Sequence, residues 1–347
     1  MFLKKLPLWI KISAVVVLIL LLISSYIPYV LYAATIQPID GKKTYIYIRP
    51  NDTFADVIAN LQTKATVSHL PAFLKIAKKL QYDTSIRTGR YEIYSGMNYD
   101  TFVKTISRNR QTPTRLTFNN IRTKEQLAAR LSAQLMTDST SIADLLSDTV
   151  YLASKGLTLE TTTIFFIPNT YEVYWTTTPS QLFDRMEQEY NKFWTEERRK
   201  KAAAIPLTEI EVITLASIIE EETNKNTELP IVAGIYINRL KKRMLLQACP
   251  TVRFALNDFS ITRVLHKHLE TESPYNTYKY TGLPPGPIRL PAPKSIDAVL
   301  NYKKHNYLYM CAKETLNGEH NFAATFTEHQ RNAVKYQQAL NKRGIYE

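Results

Sequence analysis

The stretch "TLASIIEEETNKN", Thr214 to Asn226, runs from small and apolar residues into three consecutive glutamates within an otherwise basic chain. With Ile210 set at zero and about 100° added per residue, Val212, Ile213, Leu215, Ala216, Ile218 and Ile219 gather into one stripe of an α-helix. Glu221 falls opposite that stripe and is expected to face water. Glu220 and Glu222 fall on its two borders, where aliphatic neighbours disfavour a carboxylate and raise its pKa, as a general acid at neutral pH requires. They diverge around the axis, so a two-carboxylate glycosidase pair is not expected here. The alternative is a charged helix end paired with Lys225, Lys241, Lys242 or Arg243.

Working outward, "ELPIVAGIYINRLKKR" from Glu228 predicts a second helix. "LPPGPIRLPAP" from Leu283 suits only a shaped loop, because proline removes a donor and fixes φ. Upstream, "QLFDRMEQEYNKFWTEERRKK" predicts solvated amphipathic helices. Three earlier windows, from Tyr47, Glu92 and Thr117, share one spacing. Ile48, Ile93 and Phe118 align, then Val57, Phe102 and Leu127, then Leu61, Ile106 and Leu131. Each window predicts a short strand, a polar turn and an amphipathic helix. Asp52 or Thr53 is placed to cap the first of these helices, and "LPAFLKIAKKL" from Leu70 is a candidate packing partner. The fold class expected is α+β.

The chain carries 44 Lys plus Arg against 31 Asp plus Glu, a formal charge of +13, which suits anionic lipid or an acidic polymer. Its nine glycines form no nucleotide-cradling loop. Ile12 to Ile39 lies between Lys11 and Asp40 without an ionisable acid or base, long enough to cross a bilayer even if Pro28 trims the helix. Lys4, Lys5 and Lys11 predict a cytoplasmic N-terminus, with Tyr26, Tyr29 and Tyr32 near the far interface. A cleaved signal peptide is the rival, although its apolar region would be shorter. An anchor puts the remainder outside the cytoplasm, away from nucleic acid. The expected organisation is a cytoplasmic segment 1–11, an anchor 12–39, and domains 40–112 and 113–347. Cys249 and Cys311 are expected to be buried free thiols. His266 and His268 in "HKH" lack a third ligand at metal spacing, so neither a metal nor another cofactor is expected.

Five ordered blocks, "ASIIEEET", "PIVAGIYINRL", "LLQACPTVRFAL", "SPYNTYKYTGLPPGPI" and "HNFAATFTEHQRN", resemble the endolytic murein transglycosylase (YceG-like) family. The strand-turn-helix windows resemble the LysM-like portion that precedes the catalytic domain in that family. The resemblance implies peptidoglycan glycan strands as substrate and cleavage between N-acetylmuramic acid and N-acetylglucosamine to leave 1,6-anhydromuramoyl ends. It assigns the catalytic acid to the first glutamate of its block, Glu220. It further implies substrate contacts at Glu222, Asn238, Gln247, Thr251, Asn276, Thr277, Tyr278, Gly282, Pro284, His320 and Phe322. Peptidoglycan synthases are implied as partners. Two positions depart from the family pattern, with Cys249 and Asn169 standing where it commonly has Asp. Two other classes stay open: a non-catalytic peptidoglycan-binding scaffold, and a hydrolase in which Glu222 or Glu172 activates water.

Overall fold

The computed structural model describes residues 7–33 and 35–345, with side chains described outside 27–33. A single helix runs from Leu8 to Ala33, straight through Pro28, which therefore does not end it. Its Leu8–Tyr26 portion has mean hydropathy 2.5 and none of it is buried, so it is long and apolar enough to cross a membrane. Tyr26 is exposed. Lys4 and Lys5, and the side chains of Tyr29 and Tyr32, lie outside the described residues.

The chain then forms two compact units, the first from residues up to 115 with 172–176, the second from 116–171 with 177–347. In the first, Thr44–Ile48 pairs antiparallel with Gly89–Ile93, and Thr35–Pro38 pairs with Ala65–Val67 on one side and Met97–Asn98 on the other. Helices Phe54–Lys64, Leu70–Lys79 and Tyr99–Ser107 supply the other half of its core. The in-register positions Ile48, Ile93, Val57, Phe102, Leu61 and Ile106 are all fully buried, as strand and helix periodicities converging on one core require. Thr53 caps the first of these helices in a reciprocal box with Asp56, whereas Asp52 accepts from the Arg49 amide at 2.7 Å. The third window, strand Thr114–Phe118 and helix Lys124–Ser132, places Phe118, Leu127 and Leu131 in the core of the second unit.

The second unit is organised around the Glu209–Glu222 helix. Thr208 caps its start in a box with Glu211. Helices Leu229–Lys241, Pro293–Leu300, Glu196–Ala204 and Cys249–Ala255 pack around it. Every residue from Val212 to Ile219 is consequently buried, Thr214 and Ser217 included. This corrects the one-sided reading of the helix: with neighbours all round, no face is left for water, and Glu221 is not solvated. The proline-rich loop is pinned where the Ile288 amide donates to Ser217 Oγ at 3.0 Å. Gly286 is required at this point, since a Cβ there would lie 2.1 Å from the Glu160 carbonyl oxygen. A hairpin of Tyr309–Ala312 and His320–Ala323 carries the Phe326–Lys342 helix.

Candidate active site

The three glutamates part company at the end of the central helix. Glu220 turns to the Pro293–Leu300 helix, whose N-cap residue, Ala292, has no capping side chain. Glu220 Oε2 accepts from the Ala292 amide at 2.7 Å and from Ser295 Oγ at 2.6 Å, and Oε1 meets Arg289 at 3.2 Å. It thus acts as a helix cap supplied from a distant part of the chain. Glu221 sits among three guanidinium groups. Arg122 donates to both its oxygens at 3.1 Å, Arg289 Nη1 lies at 2.7 Å, and Arg253 approaches to 3.7 Å. Both carboxylates are therefore engaged in holding elements together.

Glu222 turns the other way, into a cavity of about 390 Å³ lined also by Tyr236, Arg239, Gln247, Cys249, Tyr278 and His320. Among the described residues that line it, Glu222 is the single carboxylate. Tyr236 Oη donates to its Oε1 at 2.9 Å. Burial pushes the Glu222 carboxyl above its ordinary range, against the opposing pull of the Tyr236 hydroxyl and of nearby His320, Arg253 and Arg239. Burial also raises Tyr236 well above its usual value, so that hydroxyl keeps its proton and remains a donor. A partly dry carboxyl group facing a cavity, with one oxygen held and the other given no hydrogen bond by the described residues, is equipped to deliver a proton.

Of the residues expected to touch substrate, Glu222, Gln247, Tyr278 and His320 line this cavity. The others do not line it. Asn238 Nδ2 donates to the His305 and Tyr307 carbonyls, which ties the 302–308 loop to its helix. Asn276 Nδ2 donates to the Leu269 and Thr271 carbonyls, and its Oδ1 accepts from the Tyr278 amide. Thr251 and Thr277 are buried and lie 2.9 Å apart, Oγ1 to Oγ1, with Thr277 also accepting from the Ala248 amide. Gly282 occupies a left-handed turn, Pro284 is buried, and Phe322 stacks on Tyr307. Glu172 and Asn169 are exposed in their strand. Both cysteines are free, but neither is fully buried: Cys311 is half-buried and Cys249 exposed, with its Sγ 3.1 Å from Tyr278 Oη.

Sequence reasoning missed the cavity roles of Tyr236 and Arg239. Tyr236 lies fourteen positions from Glu222, in a helix whose apolar run hides it. Arg239 is buried, its Nη1 donating to the Leu245 and Leu246 carbonyls and its Nε to the Leu308 carbonyl. It fixes the turn that presents Gln247, whose φ of 50° is left-handed. No local pattern announces either role.

The family model for the YceG-like family matches residues 46–335. The chain belongs to the YceG-like family. It is 45% identical over 132 residues to the endolytic murein transglycosylase of Bacillus subtilis strain 168, covering 38% of this chain and 36% of that protein. It is 25% identical over 362 aligned positions to the endolytic murein transglycosylase of Streptococcus pneumoniae D39, covering 94% of this chain and 64% of that one. The chain thus spans less than two thirds of the length of either relative. A crystal structure of a yceG-like protein from Listeria monocytogenes shares the fold, with TM-score 0.57 and 28% identity over 84% of this chain and 98% of the other.

Proposed function

We propose that this YceG-like protein is a membrane-anchored endolytic transglycosylase of peptidoglycan, and that Glu222 rather than Glu220 is its acid. The observation that carries the reading is the position of Glu222: a carboxyl raised by burial, alone of its kind among the described cavity residues. Glu220 is the assignment taken from the family resemblance, but its oxygens are occupied by Ala292, Ser295 and Arg289. Glu222 donates its proton to the glycosidic oxygen between N-acetylmuramic acid and N-acetylglucosamine. The muramoyl C6 hydroxyl attacks C1, so the nucleophile belongs to the substrate and a second protein carboxylate is unnecessary. The product is a 1,6-anhydromuramoyl end.

In this reading the Leu8–Ala33 helix spans the inner membrane, Lys11 marks the cytoplasmic side and both compact units lie outside the cytoplasm. Residues 40–112 act as a LysM-like glycan tether and 113–347 as the catalytic domain. Nascent strands are the substrate, and a peptidoglycan synthase is the expected neighbour. The test is digestion of purified glycan strands with wild type, Glu220→Gln and Glu222→Gln, followed by mass spectrometry. Anhydro products from wild type and from Glu220→Gln, with none from Glu222→Gln, support the reading. Products heavier by one water place the chain among the hydrolases, and no cleavage by wild type favours the binding-scaffold class.

A further inference from the structure

Beyond Glu222, a second proton-handling group opens onto the same cavity. Just past the central helix, Glu228 is buried with 6% exposure. Its Oε2 accepts from Thr223 Oγ1 and from His320 Nδ1, both at 2.8 Å, and its Oε1 accepts from the His320 amide at 2.8 Å. Burial alone would raise this carboxyl, but the hydrogen bonds from His320 and Thr223 outweigh it and hold Glu228 below the usual range. Glu228 is therefore an anion at neutral pH. A carboxylate only accepts, so the proton on the imidazole resides at Nδ1, and Nε2 is left with its lone pair. The described residues supply no hydrogen bond to Nε2, while the ring lines the cavity with Glu222.

The other titratable groups facing that space are Tyr236 and Arg239 from the Leu229–Lys241 helix, Cys249 and Tyr278, then Cys311 and His329 from the C-terminal elements. Burial raises both phenols and the Cys311 thiol, and partial desolvation at the cavity wall raises the thiol of the otherwise exposed Cys249, so these four stay protonated. Arg239 has no lone pair to offer. Burial and then Arg239 lower His329, which makes it a weak base. Glu222 has one oxygen tied to Tyr236 and presents the other for a single transfer.

We propose that His320 is the base of the reaction and that Glu228 is the positioning residue that fixes its tautomer. This rests on the lytic reading of the cavity. As O6 bonds to C1, Nε2 takes the proton of the C6 hydroxyl. As the C1–O4 bond breaks, Glu222 gives its proton to O4. The imidazolium and carboxylate left behind reset by passing one proton from His320 to Glu222 through solvent, so no water is consumed and no external reagent is needed. Splitting the two transfers between two groups removes the need for one carboxyl to reach both oxygens.

The experiment measures kcat/KM for glycan-strand cleavage by the full chain in detergent from pH 5 to 9, for wild type, His320→Ala and Glu228→Gln, with melting curves to verify folding. His320→Ala is expected to lose roughly 100-fold or more, to lose the low-pH limb of the profile, and to recover about tenfold with added imidazole. Glu228→Gln is expected to lower kcat at least tenfold with KM little changed, because a neutral amide no longer stabilises the imidazolium that forms in the transition state. A folded His320→Ala with activity near wild type overturns the proposal, as does a loss with an unchanged profile and no imidazole rescue. If His320→Ala does not fold, Glu228→Gln decides, and a folded variant with kcat near wild type overturns it. Absence of anhydro product from wild type is a different failure, that of the lytic reading itself.

Discussion

Replacing Glu220 by alanine separates a helix cap from a catalyst. The substitution removes two hydrogen bonds to the start of the Pro293–Leu300 helix, at 2.7 and 2.6 Å, and one partner of Arg289, whose side chain is only 11% exposed. Hydrogen bonds to a charged group contribute about 1.5–3 kcal/mol each, and breaking a largely buried ion pair costs about 3–5 kcal/mol. These terms overlap, and Arg289 keeps Glu221 at 2.7 Å, so the expected loss is about 3–5 kcal/mol. For a unit of this size each kcal/mol lowers Tm by roughly 2–4 °C, so thermal unfolding should move down by roughly 6–20 °C. Glycan cleavage assayed well below that transition should stay within about tenfold of wild type, a smaller loss than removal of a general acid brings. An alanine variant that melts with the wild type and cuts nothing would show that Glu220 is the acid and that the capping argument is wrong.

Other perturbations test neighbouring parts of the account. Glu222→Gln keeps the shape and the acceptor for Tyr236 but cannot donate an acidic proton, so cleavage should fall roughly 100- to 10,000-fold. The same variant should gain stability relative to wild type as pH rises. The folded-state pKa of Glu222 lies above the unfolded value, so wild type is most stable below the unfolded pKa and loses stability as pH climbs through the folded one, at roughly 1.4 kcal/mol per tenfold difference in proton affinity. Melting curves at several pH values measure the divergence, and parallel curves would contradict the raised carboxyl. Gly286→Ala should destabilise the second unit or abolish its folding, because backbone rather than a flexible side chain blocks the new methyl group; unchanged melting would refute that packing. Thr53→Ala should cost about 1 kcal/mol in the first unit through loss of the capping box, readable by hydrogen exchange in Phe54–Lys64.

The elements were legible in the chain where local period decides them. Nine aligned apolar positions across three windows are all buried, because a two-residue and a 3.6-residue period each select one face of a strand or helix. The central helix misled for a physical reason. A helical wheel assumes one buried side, whereas this helix is enclosed, and Glu221 is neutralised by Arg122 and Arg289, 99 and 68 residues away. The cap that occupies Glu220 comes from 72 residues downstream. The Glu228 that holds His320 is 92 residues from it. Pairings at such separations leave no periodic trace. For the same reason "YNTY" offered amides and hydroxyls of the right chemistry without revealing that Asn276 and Thr277 face inward.

The most direct test of the central claim is mass spectrometry of purified glycan strands digested by wild type beside Glu222→Gln. The account predicts 1,6-anhydromuramoyl ends from wild type and intact strands from the variant. Hydrated ends from wild type, or anhydro ends produced undiminished by Glu222→Gln, would contradict it.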